Sequence, residues 1–462
     1  MKIFNTQVGK KQEFVPIKKG MVSIYCCGPT VYNYFHIGNA RPFIVFDCLN
    51  RYLKFLGYKT TFVQNITDID DKIIQRAEKK QVDFKVITKE YIQAFFDDKN
   101  RLGIGSADYY PRATEYVPQM VDFICKLIKN DNAYEVDGDV YFSTKSLNNY
   151  GSLSGKKIEE QLAGARVEIT KKKRDKSDFV LWKKAKKGEP SWQSPWSLGR
   201  PGWHTECVVM SRDILGEALD IHAGGCDLLF PHHENELAQA SATSKTPFVR
   251  YWMHNGFLNI EGEKMSKSLD NFFTARDILN STSADAIRYF FLSKHYRSPI
   301  DFSKKILTEC GSGIKNLTEA LVSMDFSSKQ AHKEQESNES KDFRSQFIAS
   351  MDDDLNTAKA ISTLFAISKR VKDVSLSKGK RLEFAQLLYE LGSVLGFFQD
   401  FGTEEDGKET QLAKALIELL IAYRQRAKLA KNWAEADRIR DDLGRLGVEL
   451  ADTKQGTVFS LR

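Results

Sequence analysis

Val22-Ser23-Ile24-Tyr25-Cys26-Cys27 alternates and then runs apolar, and Gly28-Pro29 ends the run at once. That reads as a strand opening into a loop. The loop carries His36-Ile37-Gly38-Asn39, and from Phe43 to Phe55 apolar residues return at helical spacing until Gly57 stops them. Lys59 to Ile66 reads as a second strand. Strand, loop, helix and strand predict a βαβ unit, the first half of a doubly wound parallel sheet in a Rossmann-like α/β domain. Ligands of such sheets lie beyond the strand carboxyl ends, where Cys27 and the His36 loop fall.

Outward from that unit, the pattern predicts a Rossmann-like domain over about 1–302, interrupted by an insertion over about 103–198. Lys89 to Leu102 and Glu115 to Lys129 look helical, and Ala133 to Phe142 reads as a hairpin around Asp137-Gly138. Leu219 to His222 and Val249 to Ile260 resume strand character, with a helix from about His232 to Ser244 between them. Beyond Phe302 strand signals cease, and helical periodicity over Ile306–Met324, Phe343–Met351, Ala358–Val371 and Arg381–Phe398 predicts an α-helical bundle over 303–401. Ser327 to Lys341 reads as a polar linker. After a second polar break, Leu412 to Leu443 reads as a basic helix and Val448 to Leu461 as a hairpin, a small α/β unit over 411–462.

Composition bounds the function. The chain has 462 residues, more than one core usually serves, with 42% hydrophobic and 28% charged residues, as in ordinary globular enzymes. Sixty-eight Lys and Arg against 61 Asp and Glu leave +7, which fits a polyanionic partner no better than it fits a solvated mixed surface. Met1 to Gly20 holds six charged residues and no signal-like apolar core, and no apolar run reaches spanning length, so no membrane partner and a cytoplasmic location are expected. The seven cysteines are scattered without CxxC spacing. Any metal site must therefore be assembled from distant segments.

Two motifs carry chemistry. His36 at a helix entrance, Gly38 and Asn39 offer backbone and side-chain donors beside a positive helix end. Far downstream, Lys264-Met265-Ser266-Lys267-Ser268, with Gly262 just before it, offers two ammonium groups for phosphate charge. Singly, His36 reads equally well as a capping residue and the lysine motif as an exposed basic turn. In this order and at this separation they resemble the signature pair of class I aminoacyl-tRNA synthetases. The first signature of that family usually ends in His, whereas Asn39 donates a hydrogen bond and carries no charge.

A second constellation is a candidate metal site. His232 and Glu236 at i, i+4 share a helix face, and Cys27 and Cys207 would add two thiolates, a donor set zinc accepts. Spacing alone leaves the alternative open in which both cysteines are buried apolar residues and His232 caps the helix.

Tyr25 to Tyr32, Asn65-Ile66-Thr67-Asp68-Ile69-Asp70-Asp71-Lys72, Gly199 to Cys207 and Phe230-Pro231-His232-His233-Glu234-Asn235-Glu236 resemble the cysteinyl-tRNA synthetase family, over almost the whole chain. The resemblance implies ATP-dependent activation of L-cysteine and its transfer to tRNA(Cys). It implies His36, Asn39, Lys264 and Lys267 as catalytic residues, and an ATP site of Pro29, Thr30, His36, Gly38, Asn39, Lys264, Met265, Ser266, Lys267 and Ser268. Cysteine would meet Cys27, Gly28, Thr67 and Trp203. One Zn2+ per chain would be held by Cys27, Cys207, His232 and Glu236, with His222 and His233 orienting these ligands and Cys26, His204 and Cys226 outside the set; Mg2+ would accompany ATP.

It also implies that about 250–302 carries the lysine-motif loop and an acceptor-stem contact, 303–401 binds the anticodon arm and 411–462 recognises tRNA. Soft sulfur bonded to zinc separates cysteine from serine, a task an apolar pocket does poorly, and removes the need for an editing domain that the insertion is too short to hold.

RNA contacts are expected from Lys171–Arg174, Lys183–Lys187 and the C-terminal Arg424, Arg426, Lys428, Lys431, Arg438, Arg440 and Arg445 with Trp433. An amphipathic helix with Trp433 packed inward explains the last group equally well. The oligomeric state is not set by the sequence, and a monomer is the default expectation. Competing readings are a cysteine ligase acting on a small amine and a zinc-stabilised RNA-binding protein without catalysis; a zinc hydrolase is disfavoured because no H-E-x-x-H is present.

Overall fold

The computed structural model describes residues 1–155, 172–260, 263–264, 273–326, 336–399, 401, 404–453 and 456–461. Its contacts divide the chain into a unit of about the first 399 residues and a second of 400–462.

The first unit is built on four parallel strands, β1 (Met21–Cys26), β2 (Lys59–Gln64), β3 (Leu219–Gly225) and β4 (Val249–Asn255), in the order β4-β3-β1-β2. The chain moves outward from β1 to β2 and later returns to the other side of β1. The carboxyl ends of β1 and β3 therefore form the switch point, where a crevice opens. All seven residues of β3 are buried, as a strand covered on both faces requires. The predicted Rossmann-like sheet is thus present.

The Ile37–Phe55 helix connects β1 to β2. Pro42 sits inside it and supplies no N–H, so the Gly38 carbonyl lacks its usual i+4 donor. Arg41, wholly buried on the same helix, donates to the carbonyl oxygens of Gly256 (2.7 Å), Phe257 (2.8 Å) and Ser298 (2.6 Å). This clamps the start of the helix to the chain that leaves β4.

Several elements differ from the sequence reading. The strand expected over Val249 to Ile260 is two, because at Gly256 the backbone passes so close to the Arg297 and Ser298 carbonyls that a Cβ would lie 2.6 Å from each. Leu258–Ile260 then pairs in parallel with Ile300–Phe302 in a separate small sheet. The insertion hairpin Ala133–Val136 and Asp139–Phe142 is half of a four-stranded antiparallel sheet completed by Phe179–Lys184 and Gly199–Pro201. Its Phe142, Phe179, Leu181 and Trp182 pack in one apolar cluster with Cys27 and Cys207. Short helices at Asp71–Lys80, Glu206–Leu215, Ala275–Leu279 and Ala284–Leu292 were not anticipated.

Helices Lys304–Val322, Asn338–Asp352, Thr357–Lys372 and Lys378–Val394 follow. Leu317, Leu321, Phe347, Met351, Leu364, Ile367, Phe384 and Leu388 are all buried. Of the expected linker, 327–335 lies outside the described residues, and Asn338 onward is already helical, capped by Ser337, whose hydroxyl accepts from the Ser340 N–H. Asp354 ties this helical region to the sheet domain by accepting from Phe4 N–H, Tyr296 OH and Arg297 Nε at 2.8, 2.8 and 2.9 Å.

The second unit holds helices Glu404–Leu429 and Trp433–Arg445 and the hairpin Val448–Thr453 with Gly456–Leu461. The one basic helix expected here is two, parted at Lys431, whose φ is +57°, and restarted by the Asn432 cap. Arg424 is buried and held bidentately by Asp452 at 2.9 and 3.1 Å, which removes it from the expected RNA-contacting set. Trp433 is 60% exposed, against the inward-packed alternative.

Candidate metal centre and nucleotide crevice

Cys27 follows the last residue of β1, and its N–H donates to the Ala223 carbonyl of β3 at 3.1 Å, which fixes it at the switch point. Cys207 stands in the first turn of the Glu206–Leu215 helix. His232 belongs to the turn Leu229–His233, kinked at Phe230 where the backbone is extended (φ −136°, ψ 132°), that leads into the Glu234–Thr243 helix carrying Glu236. The Cys27 and Cys207 sulfurs lie 3.8 Å apart, Cys207 Sγ lies 3.7 Å from His232 Nε2, and His232 Nε2 lies 3.0 Å from Glu236 Oε1. Cys27 Sγ is 3.8 Å from Glu236 Oε1. All four are buried, with donor atoms within 4.8 Å of one another.

Tetrahedral zinc at its usual bond lengths places two sulfurs about 3.8 Å apart and a sulfur and a nitrogen about 3.6 Å apart. These donors fit that ion. Glu236 Oε2 is sealed from solvent and makes no hydrogen bond, with His222 Nε2 lying 3.3 Å from it, a position in which a bound cation would compensate the buried carboxylate.

The structure also brings together an overlapping set, Cys27, His222, His233 and Glu236, in which His222 and His233, kept outside the ligands by the sequence reading, join two of the expected ones. His233 Nε2 lies 3.2 Å and His222 Nε2 3.6 Å from Cys27 Sγ. His233 is held from behind by His254 (2.8 Å), which in turn meets the Thr6 hydroxyl at 2.8 Å. His204 Nδ1 approaches His232 Nδ1 at 3.0 Å. Cys26 turns back toward the Cys27 carbonyl, 3.8 Å away.

Burial pushes the Cys27 thiol and the Glu236 carboxyl well up, and the His204, His222 and His233 imidazoles well down. Burial also raises the Cys207 thiol, but the hydrogen bonds from Cys27 and His232 outweigh it and hold this thiol below its ordinary range. A cluster of neutral imidazoles around sulfur and carboxylate is suited to a soft dication, which stabilises the ionised ligands outright.

Beside this cluster, Gly28 donates to Asn65 Oδ1 at 2.8 Å, and a Cβ at Gly28 would lie 1.7 Å from the Asn65 carbonyl oxygen, so only glycine fits. Pro29 and Thr30 run alongside Thr67, with Thr67 N–H donating to the Pro29 carbonyl and Val31 N–H to the Thr67 carbonyl, both at 3.1 Å. Thr67 is buried and gives its hydroxyl hydrogen to Glu206 at 2.7 Å. Trp203 is 37% exposed and stacks on the His232 ring at 4.2 Å. Sequence reasoning missed Asn65 and Glu206, although both stand inside the quoted motifs.

His36 is the half-buried residue at the start of the Ile37–Phe55 helix, followed by half-buried Gly38 and Asn39. Lys264 ends the short strand Glu263–Lys264, while Gly262, Met265, Ser266, Lys267 and Ser268 lie outside the described residues. The chain re-enters at Phe273 and Thr274, where Ile37 N–H donates to the Phe273 carbonyl and Ala275 N–H to the Phe35 carbonyl, each at 3.0 Å. The far end of the lysine-motif segment is thus stitched to the His36 segment. No helix among the described residues is long and apolar enough to cross a membrane.

Residues 13–312 match the family described as tRNA synthetases class I (C) catalytic domain, and residues 346–399 match the DALR domain. Among solved structures, the chain is similar to methionyl-tRNA synthetase of Mycobacterium tuberculosis in complex with methionyl-adenylate, at 15% identity and a TM-score of 0.57, covering 84% of this chain and 92% of that one. A ternary complex of Agrobacterium radiobacter K84 agnB2 LeuRS with tRNA and LeuAMS aligns at 11% identity and a TM-score of 0.59, covering 83% and 85%. A putative arginyl-tRNA synthetase from Campylobacter jejuni aligns at 13% identity and a TM-score of 0.54, covering 81% and 92%. At these identities the likeness to the solved structures is one of fold.

Proposed function

We propose that this chain, which belongs to the class I tRNA synthetases, activates L-cysteine with ATP and transfers it to the 3′ end of tRNA(Cys). The observation that carries the cysteine reading is the buried set Cys27, Cys207, His232 and Glu236, with spacings that suit tetrahedral zinc, at the carboxyl ends of β1 and β3. Zinc held by these four residues would supply a soft Lewis acid, a chemistry that favours the thiolate of cysteine over the hydroxyl of serine. His222 and His233 orient Cys27 and Glu236, and His204 orients His232.

The neighbouring residues do the positioning. Gly28 lets substrate approach the backbone, Thr67 presents a hydroxyl oxygen and Trp203 closes one side. The substrate carboxylate attacks the α-phosphate of ATP, which reaches the site with Mg2+. Pro29, Thr30 and Gly38 let the nucleotide lie close to the chain. His36 and Asn39 donate to phosphate oxygens beside the helix end. Lys264 and Lys267 neutralise the departing pyrophosphate, and Met265, Ser266 and Ser268 belong to the same ATP-binding motif. Residues 250–302 carry that loop and an acceptor-stem contact, the helices from 303 to 401 bind the anticodon arm, and 411–462 completes tRNA recognition. Support for these last roles is the DALR match at residues 346–399 and the exposed Trp433.

The test is ATP–pyrophosphate exchange with each of the twenty amino acids, followed by charging of purified tRNA. Exchange with cysteine above all others supports the assignment; a different preferred amino acid overturns it. Exchange without tRNA charging would favour the ligase that acts on a small amine.

A further inference from the structure

Neither the zinc ligands nor the nucleotide crevice accounts for Glu206. Its side chain is 1% exposed, Oε2 accepts the Thr67 hydroxyl at 2.7 Å, and Oε1 is sealed from solvent with no hydrogen-bond partner. A buried carboxyl with one oxygen unmet destabilises a fold relative to an apolar side chain of the same volume. Packing alone therefore gives no reason for an acid here.

The hydrogen bonds around it do. A threonine hydroxyl has one hydrogen and two acceptor positions. The Thr67 hydrogen is committed to Glu206, and one acceptor position takes Asn65 Nδ2 at 3.2 Å. Asn65 Oδ1 in turn accepts from Gly28 N–H at 2.8 Å. A single relay thus runs from the peptide after Cys27 to the residue before Cys207, with one acceptor position of Thr67 left over. A wall built in this way is suited to a cation, and the cation of a free amino acid is its α-ammonium group.

We propose that Glu206 is a positioning residue that fixes the Thr67 hydroxyl so that its remaining lone pair faces, and accepts from, the α-ammonium of the amino-acid substrate. The inference rests on the cysteine-activating reading. Its physical content is that discrimination by this relay depends on the amino group, whereas the zinc site reads the sulfur.

The experiment uses the full-length, zinc-loaded enzyme and two ligands, L-cysteine and 3-mercaptopropionate, which has the thiol and carboxylate but no amino group. Cysteine-dependent exchange by the unaltered enzyme is measured first; its absence would sink the cysteine reading and leave the relay to be tested with the amino acid that is activated and its desamino analogue. Glu206→Ala is expected to raise KM for cysteine about 10-fold, while inhibition by 3-mercaptopropionate changes less than about twofold. Glu206→Gln, whose amide oxygen still accepts from Thr67, should recover most of the loss. Thr67→Val, nearly isosteric, should show the same split between the ligands and serves if Glu206→Ala does not fold. Equal weakening of both ligands, or an unchanged cysteine KM in Glu206→Ala and Thr67→Val, overturns the proposal.

Discussion

Cys27 and Cys207, 180 positions apart in sequence, hold their sulfurs 3.8 Å from each other. One closes the first strand of the sheet and the other opens a helix after the insertion, so only the assembled doubly wound fold unites them. With His232 and Glu236 they make a four-donor set, and losing one donor should be felt in metal content before it is felt in the fold.

Cys207→Ala and Glu236→Gln should each weaken zinc binding by at least about 10- to 100-fold, judged from what even indirect partners of a metal contribute. Metal analysis after dialysis against a fixed free-zinc buffer reads this directly. Retention of one zinc per chain in both variants would show that the ion sits elsewhere.

Lys267→Ala should reduce cysteine-dependent exchange about 10²- to 10³-fold, the usual consequence of removing one group that stabilises transition-state charge. The thermal midpoint should not move. Undiminished exchange would remove this lysine from the phosphate site.

Arg288 and Asp47 form a buried pair, Nη2 to Oδ2 at 2.8 Å, between the Ala284–Leu292 and Ile37–Phe55 helices. Burial pushes the Asp47 carboxyl up, but the Arg288 and Arg51 guanidiniums outweigh it and hold the group below its usual range. A carboxyl depressed in the folded state contributes stability above its unfolded pKa, about 3.9, and loses it as pH falls through the folded value. Arg288→Met should therefore destabilise by about 3–5 kcal/mol at neutral pH. The gap to the unaltered protein should narrow on acidification below about pH 4, as read by denaturant unfolding over a pH series. A pH-independent gap would mean that the lost packing of Arg288 dominates.

Much of this was legible in the sequence because periodicity is local. The β1 strand, its crossover helix and the bundle helices follow from apolar spacing that needs no distant partner. The split at Gly256 was invisible because its cause, the Arg297 and Ser298 carbonyls, lies about forty residues downstream. Two strands of the insertion sheet were hidden by their charge and brevity: Phe179–Lys184 ends in lysines, and Gly199–Pro201 has three residues. The Asp71–Lys80 and Ala284–Leu292 helices did carry a signal, in the Asp70 and Ser283 caps. Around the metal centre, the second donor set with His222 and His233 could be seen only once β3 lay beside β1, and Glu206 only once Thr67 lay against it.

Truncation after Gln399 removes the separate C-terminal unit at its observed boundary. Pyrophosphate exchange should persist, while charging of tRNA should fall at least about tenfold, the size of one lost base–aromatic stack. Equal loss in both assays would contradict a division of labour between activation and tRNA recognition.

The most direct test of the account is the ratio of cysteine- to serine-dependent pyrophosphate exchange, measured on one preparation before zinc is removed, after its removal, and after it is restored. The account predicts a strong preference for cysteine that collapses without the metal and returns with it. A metal-free enzyme that still prefers cysteine to serine by the same ratio would contradict it.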